Sequence, residues 1–165
     1  MKISSKVALI RRALELYEDA VASREKISVS QVAHKFSRGR GSSAERGRQF
    51  HNRIWSFDPY DILNYEKIAL PFPLAWRFRW GWLYGIADQL VFEYGLPKAV
   101  IEYKSYKLWR KSERVQASLY GLLVMLVFAV KPGVYLSNGQ KILLIKDWRM
   151  LALKSLRNLG KELGT

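Results

Sequence analysis

Residues 82–106 read WLYGIADQLVFEYGLPKAVIEYKSY, and how this stretch divides into strands and turn decides the fold class. β-branched and aromatic residues fill 82–93 and 99–106, and the Gly95-Leu96-Pro97 step between them has turn composition. Two successive strands are expected. In 99–106 the two-residue period places Val100, Glu102, Lys104 and Tyr106 on one face, with Ile101, Tyr103 and Ser105 on the other. Glu102 and Lys104 therefore point the same way from a largely apolar strand. Charges buried there are costly unless paired or bound to a metal, although an edge strand with both groups in water fits the same pattern. Asp88 interrupts the apolar run of 82–93, and Asp is depleted in strands. If the strands are neighbours, Asp88 and Glu102 form an oxygen-rich pocket that retains a proton unless a divalent cation neutralises it. Mg²⁺ prefers such oxygens, and Mn²⁺ also accepts imidazole. A turn or ion-pair role is the plainer reading of Asp88 taken alone.

Outward from this stretch, residues 65–70 and 75–80 read as further strands, with Pro71, Pro73 and Gly81 as punctuation. A long helix is expected from about 111 to 130, stopped by Pro132 and Gly133. Gln116 and Tyr120, four residues apart, share one of its faces. Ser137-Asn138-Gly139-Gln140 marks a hairpin between 134–136 and 141–146, and a last helix opens at Asp147 with Leu151, Leu156 and Leu159 toward the core. Upstream, Val7, Ile10, Leu14, Tyr17 and Val21 have the spacing of an amphipathic helix. A shorter helix carries Val29, Val32, Ala33 and Phe36, capped by Ser28 or Ser30. The glycine-rich basic run 37–43 (SRGRGSS) reads as a hinge, followed by a helix from a Ser42/Glu45 capping box to about Trp55 that carries His51. The expected architecture is α/β in the α+β sense: a small mixed sheet flanked by helices, with 1–41 as an N-terminal helical segment packed on or linked to a core of 42–165.

The chain has 165 residues, of which 49% are hydrophobic, enough for a substantial core. Its 28 Lys and Arg against 14 Asp and Glu give a net charge of +14, which calls for a polyanionic partner. There is no cysteine, so disulfides, thiolate zinc sites, iron–sulfur clusters and thiol catalysis are excluded. The N-terminus lacks a signal-peptide pattern, and the apolar run 119–130 is too short to span a bilayer of about 30 Å. The expectation is a cytoplasmic, intracellular protein with no membrane association, and self-association into a homo-oligomer is compatible with it.

Gly85-Ile86-Ala87-Asp88, Ile101-Glu102-Tyr103-Lys104 and Gln116-Ala117-Ser118-Leu119-Tyr120 resemble, in order, the motifs of the PD-(D/E)xK nucleases. The resemblance is to the RecB-like branch that includes the CRISPR-associated exonucleases. Gly47-Arg48-Gln49-Phe50-His51 looks like that branch's upstream helix motif. The resemblance covers about 42–146 and implies a restriction-endonuclease-like core with a catalytic Mg²⁺ or Mn²⁺. It assigns the metal to His51, Asp88, Glu102 and the Tyr103 carbonyl, and gives Lys104 the task of orienting or deprotonating the attacking water. Gln116 and Tyr120 would position the DNA backbone or support Lys104. Lys107, Arg110, Lys111 and Arg114 lie where they could hold a phosphate backbone, or form an ordinary solvated basic face. The implied activity is metal-dependent hydrolysis of DNA phosphodiesters, with single strands or ends as substrate. Two departures stand out: the cluster cysteines of many CRISPR-associated members are missing, and Ala87 replaces the proline before Asp88. The chain would be a cluster-free, compact relative without a helicase segment. A non-catalytic basic nucleic-acid-binding protein and a structure-selective endonuclease of junction-resolvase type are the alternatives.

Overall fold

The computed structural model describes residues 1–36, 59–104 and 110–164. The expected hinge, the capping box at Ser42, the helix of His51 and the 41/42 boundary lie outside the described residues, as do Ser105, Tyr106 and Lys107. In chain order the elements are α1 (Ile3–Ala22), β1 (Lys26–Ser28), α2 (Val29–His34), a 3₁₀ turn (Pro59–Asn64), β2 (Lys67–Phe78), β3 (Gly81–Glu93), β4 (Leu96–Tyr103), α3 (Lys111–Phe128), β5 (Gly133–Ser137), β6 (Ile142–Leu144) and α4 (Trp148–Glu162). Among the described residues the fold is α+β: one mixed sheet of six strands with flanking helices. β3 is its centre. It pairs antiparallel with β2 along one side, and on the other with β1 (parallel) near its start and β4 (antiparallel) near its end. β4 then pairs parallel with β5, and β5 antiparallel with β6. Among the described residues, no helix is long and apolar enough to cross a membrane.

The two strands expected at 65–70 and 75–80 are one, because β2 runs through Pro71 and Pro73. A proline removes a ladder donor, but β2 pairs only with β3 among the described residues, and an edge strand has an open side where that loss is harmless. Pro71 also marks an irregularity. Leu70 pairs with Leu90 and Phe72 with Ala87, so the single residue Pro71 faces two, Asp88 and Gln89. Such a bulge re-aims the side chains of the strand that carries the extra residue. The turn after β3 is also one step earlier than expected: Tyr94 (φ 50) and Gly95 (φ 78) form it, while Leu96 and Pro97 belong to β4. Positive φ at both central residues suits the right-handed twist of a tight hairpin.

β1 had no counterpart in the sequence expectations. Ser28 caps α2 in a reciprocal box, its hydroxyl accepting from the Gln31 N–H (3.1 Å) while its own N–H donates to Gln31 Oε1 (2.8 Å). The stripe that α1 buries is Ile10, Ala13, Tyr17 and Ala20, whereas Val21 is exposed. α3 ends on Ala129, which takes the left-handed conformation (φ 55) and donates to the Met125 carbonyl (3.0 Å). The Asn-Gly turn forms as expected, with Asn138 Oδ1 accepting from Gln140 N (2.9 Å) and Lys141 N (2.7 Å). α1, α2, α3, α4 and the sheet share one core, with Phe72, Phe92 and Phe128 packed edge to face or tilted at 5.3–6.0 Å.

Candidate active site

Asp88 and Glu102 meet where β3 and β4 part. Their regular pairing ends at Gln89–Ile101, one step short of Asp88 opposite Glu102. From there the backbone donors are taken by carboxylates: the Asp88 N–H donates to Glu102 Oε1 (2.8 Å), and the Tyr103 N–H to Asp88 Oδ2 (2.8 Å). Each acid is thus held by the strand carrying the other. The bulge at Pro71 explains why Asp88 turns this way. Ala87, before the shift, is buried in the core, and Asp88, just after it, reaches the same side as Glu102.

α3 closes the site from above. Gln116 Nε2 donates to Glu102 Oε2 (3.3 Å), and Gln116 Oε1 accepts from Lys104 Nζ (3.1 Å), so one amide ties the buried acid to the lysine. The Lys104 backbone is itself fixed, its N–H donating to the Ser137 carbonyl on β5 (2.8 Å). One turn further along α3, Tyr120 is buried over Gly85. A Cβ at residue 85 would stand 2.6 Å from the Tyr120 hydroxyl, so the glycine makes room for this approach. Tyr120 therefore backs the site from the core and does not face solvent.

Glu102 is fully buried, and its carboxyl is pushed well above the usual carboxylate range, first by burial and then by the negative charge of Asp88. The Asp88 N–H and the Lys104 charge act in the opposite direction without overcoming this. Buried against a second carboxylate, Glu102 favours its protonated form. The phenol of Tyr120 is likewise pushed well up, by burial first and by Glu102 and Asp88 next, so it stays neutral and can act only through hydrogen bonds. A raised carboxyl stabilises the fold below the unfolded pKa, and that contribution is lost as pH rises through the folded value. With chelator present, the melting temperature should accordingly fall as pH climbs from the ordinary carboxylate range upward. Glu102→Gln should flatten this fall. An unchanged pH slope in the variant would contradict the assignment.

Of the remaining expected residues, Tyr103 is exposed and its hydroxyl donates to Gln89 Oε1 (3.1 Å). Arg110 and Lys111 are exposed at the start of α3, the Arg110 N–H donating to Glu113 Oε2 (2.9 Å) and the Lys111 ammonium lying 5.2 Å over the Phe36 ring. Arg114 is committed in part to Asp147, at 3.3 Å. The structure thus joins Asp88, Glu102, Lys104, Gln116 and Tyr120 in one cluster, with Arg110, Lys111 and Arg114 on the helix that covers it. His51 and Lys107 lie outside the described residues. Sequence reasoning missed Pro71, whose place inside an otherwise strand-like run was the available signal for a bulge, and Gln89.

Two carboxylates in mutual contact, one fully buried, are chemically suited to a hard divalent cation, which would relieve the repulsion that now favours a proton. Among the described residues no group of three or more His, Asp or Glu side chains gathers, and His51, the further ligand that the resemblance assigns, lies outside them. No model of a known protein family matches the sequence, and no curated protein matches it significantly.

Proposed function

We propose that the chain is a divalent-metal-dependent deoxyribonuclease of the RecB-like kind, with a restriction-endonuclease-like core. The observation that carries this is the linkage of Asp88 and Glu102 across parting strands, with Lys104 joined to the buried acid through Gln116. A structural ion pair has no need of a second carboxylate, and a solvated edge pair would not leave Glu102 fully buried. A bound Mg²⁺ or Mn²⁺ would supply Lewis-acid polarisation of the scissile phosphate and of water. Asp88 and Glu102, with the Tyr103 carbonyl and the His51 that the resemblance assigns, are the residues that would hold it. Lys104 orients the attacking water or takes its proton, and Gln116 fixes where the ammonium stands. Tyr120 keeps β3 in register with α3 at Gly85. Arg110 and Lys111 offer charge to the phosphates on either side of the scissile bond. The substrate is DNA, with ends or single strands favoured by the resemblance.

The nearest rival is a basic protein that binds nucleic acid without cleaving it. Both readings give salt-dependent DNA affinity, so the metal separates them. Mn²⁺ at 100 times its dissociation constant should stabilise the protein by about 2.7 kcal/mol, seen as a raised melting temperature that Asp88→Asn abolishes. A melting temperature indifferent to Mn²⁺ would favour the binder.

A further inference from the structure

Away from the carboxylates, the end of the β2–β3 hairpin reads Trp76-Arg77-Phe78-Arg79-Trp80-Gly81-Trp82, a density of rings and cations that the catalytic reading leaves unused. The sheet register orders them. Arg77 on β2 is the partner of Trp82 on β3, and Lys26 on β1 is the partner of Trp82 on its other side. Side chains of partnered residues stand on one face of a sheet, with strands about 4.8 Å apart. Three neighbouring strands therefore set guanidinium, indole and ammonium in a row, the half-buried indole packing on one side against the cluster of Tyr17, Ala20 and Ala75. Tyr84, two residues along β3 and so on the same face, lies under the Lys26 ammonium at 5.9 Å from its ring.

Local chemistry holds this row in place. Gly81 (φ 129) leaves room for the chain at Glu25: a Cβ there would stand 2.6 Å from the Glu25 carbonyl oxygen, which accepts the Trp82 N–H at 2.9 Å. That contact seats β1 beside β3 and brings Lys26 into register. The Lys26 ammonium also donates to the Val21 carbonyl at the end of α1, which anchors it. Arg77, Arg79, Arg24 and Lys26 are exposed, and Trp82 and Tyr84 are half-buried. Among residues 24–26 and 76–84, Glu25 is the one acid.

A cation on each side of an aromatic ring matches the repeat of a single nucleic-acid strand, phosphate, base, phosphate. A duplex hides its base faces and meets such a row with phosphates alone, and an acidic peptide has no planar group for the indole. We propose that the Arg77–Trp82–Lys26 row is a docking site for single-stranded nucleic acid, separate from the cleavage site. Trp82 stands six residues before Asp88 on β3 and on the other face of the sheet, since Gly85, next to Tyr84, faces Tyr120 of α3, so the row is a second contact for the nucleic-acid strand and not an extension of the carboxylate site. The inference rests on the nuclease reading for its purpose. Its test does not.

The test uses a fluorescently labelled 20-nucleotide oligothymidylate with the whole protein in chelator, so no cleavage intervenes. Trp82→Leu should weaken binding by roughly 5- to 150-fold, the range for losing one stacked base. Arg77→Ala combined with Lys26→Ala should lower the slope of log affinity against log salt by about 1.4, two phosphates at about 0.7 each. A 20-base-pair duplex should bind without sensitivity to Trp82→Leu, and poly-glutamate should compete only weakly. Melting temperatures near that of the wild type establish that the variants fold, and Arg77→Ala alone, at an exposed position, provides a second reading if Trp82→Leu does not. Unchanged affinity and salt slope in all variants overturns the proposal. Equal sensitivity of duplex binding to Trp82→Leu overturns it too. Neither result touches the nuclease reading, which Mn²⁺ linkage tests separately.

Discussion

Lys104→Ala should lower metal-dependent cleavage of DNA by about 10²- to 10⁴-fold, the usual cost of removing a general acid–base group. Asp88→Asn should lower it at least as far. The two substitutions fail for different reasons. Lys104 holds no backbone in place through its side chain: its Nζ meets Gln116, so its loss leaves both strands where they are. Asp88→Asn keeps an oxygen to accept the Tyr103 N–H, and so preserves the hydrogen bond that joins β3 to β4 while removing one negative charge. Both variants should therefore melt within a few degrees of the wild type. Cleavage assays with Mg²⁺ and with Mn²⁺ on single strands, blunt duplexes, flaps and junctions check this and also separate an end-directed exonuclease from a junction-selective enzyme. Equal cleavage by wild type and both variants would contradict the site assignment.

Phe128→Ala should produce the largest loss of stability, about 3–5 kcal/mol, or roughly 10 °C in melting temperature. Phe128 is 1% exposed near the C-terminal end of α3, its ring 6.0 Å from both Phe72 on β2 and Phe92 on β3. Removing it opens a cavity where the helix crosses two strands, and rigid neighbours collapse into such a space only partly. The Asp88–Glu102–Lys104 cluster meets the same helix at Gln116, and Tyr120 backs it eight residues before Phe128. Well below its melting temperature the variant should thus still cleave DNA. Chemical denaturation checks the stability, and a loss under about 1 kcal/mol would show that the three rings do not form the keystone of the core.

How far the sequence disclosed this molecule depends on the range of the interactions involved. The two-residue period was enough to put Glu102 and Lys104 on one face, because alternation is local. The contact between Asp88 and Glu102 was expected on the condition that their strands be neighbours, which they are. What aims Asp88, the single Pro71 facing Asp88 and Gln89, was not legible, since a bulge is set by the register of two strands and not by either alone. The same prolines suggested a break in β2, because locally they are breakers, and only an open sheet edge makes them tolerable. β1 has three residues, too few for a periodic signal. The α1 stripe read as Val7, Ile10, Leu14, Tyr17 and Val21 holds at Ile10 and Tyr17, with Leu14 packed on the core, but Val21 is exposed and the two alanines, Ala13 and Ala20, which hydrophobic spacing does not single out, are fully buried. Net charge pointed to a polyanion, but the alternation of its cations with rings at Arg77, Trp82 and Lys26 emerges only when three strands are laid side by side.

The central claim is that Asp88 and Glu102 hold a catalytic divalent cation. Diffraction from crystals soaked in Mn²⁺, with the metal located by its anomalous signal, tests this most directly. The account predicts one strong peak within about 2.0–2.3 Å of oxygens from both carboxylates, close to the Tyr103 carbonyl, and absent from Asp88→Asn crystals. A Mn²⁺ bound elsewhere on the chain, with no peak between Asp88 and Glu102, would contradict it.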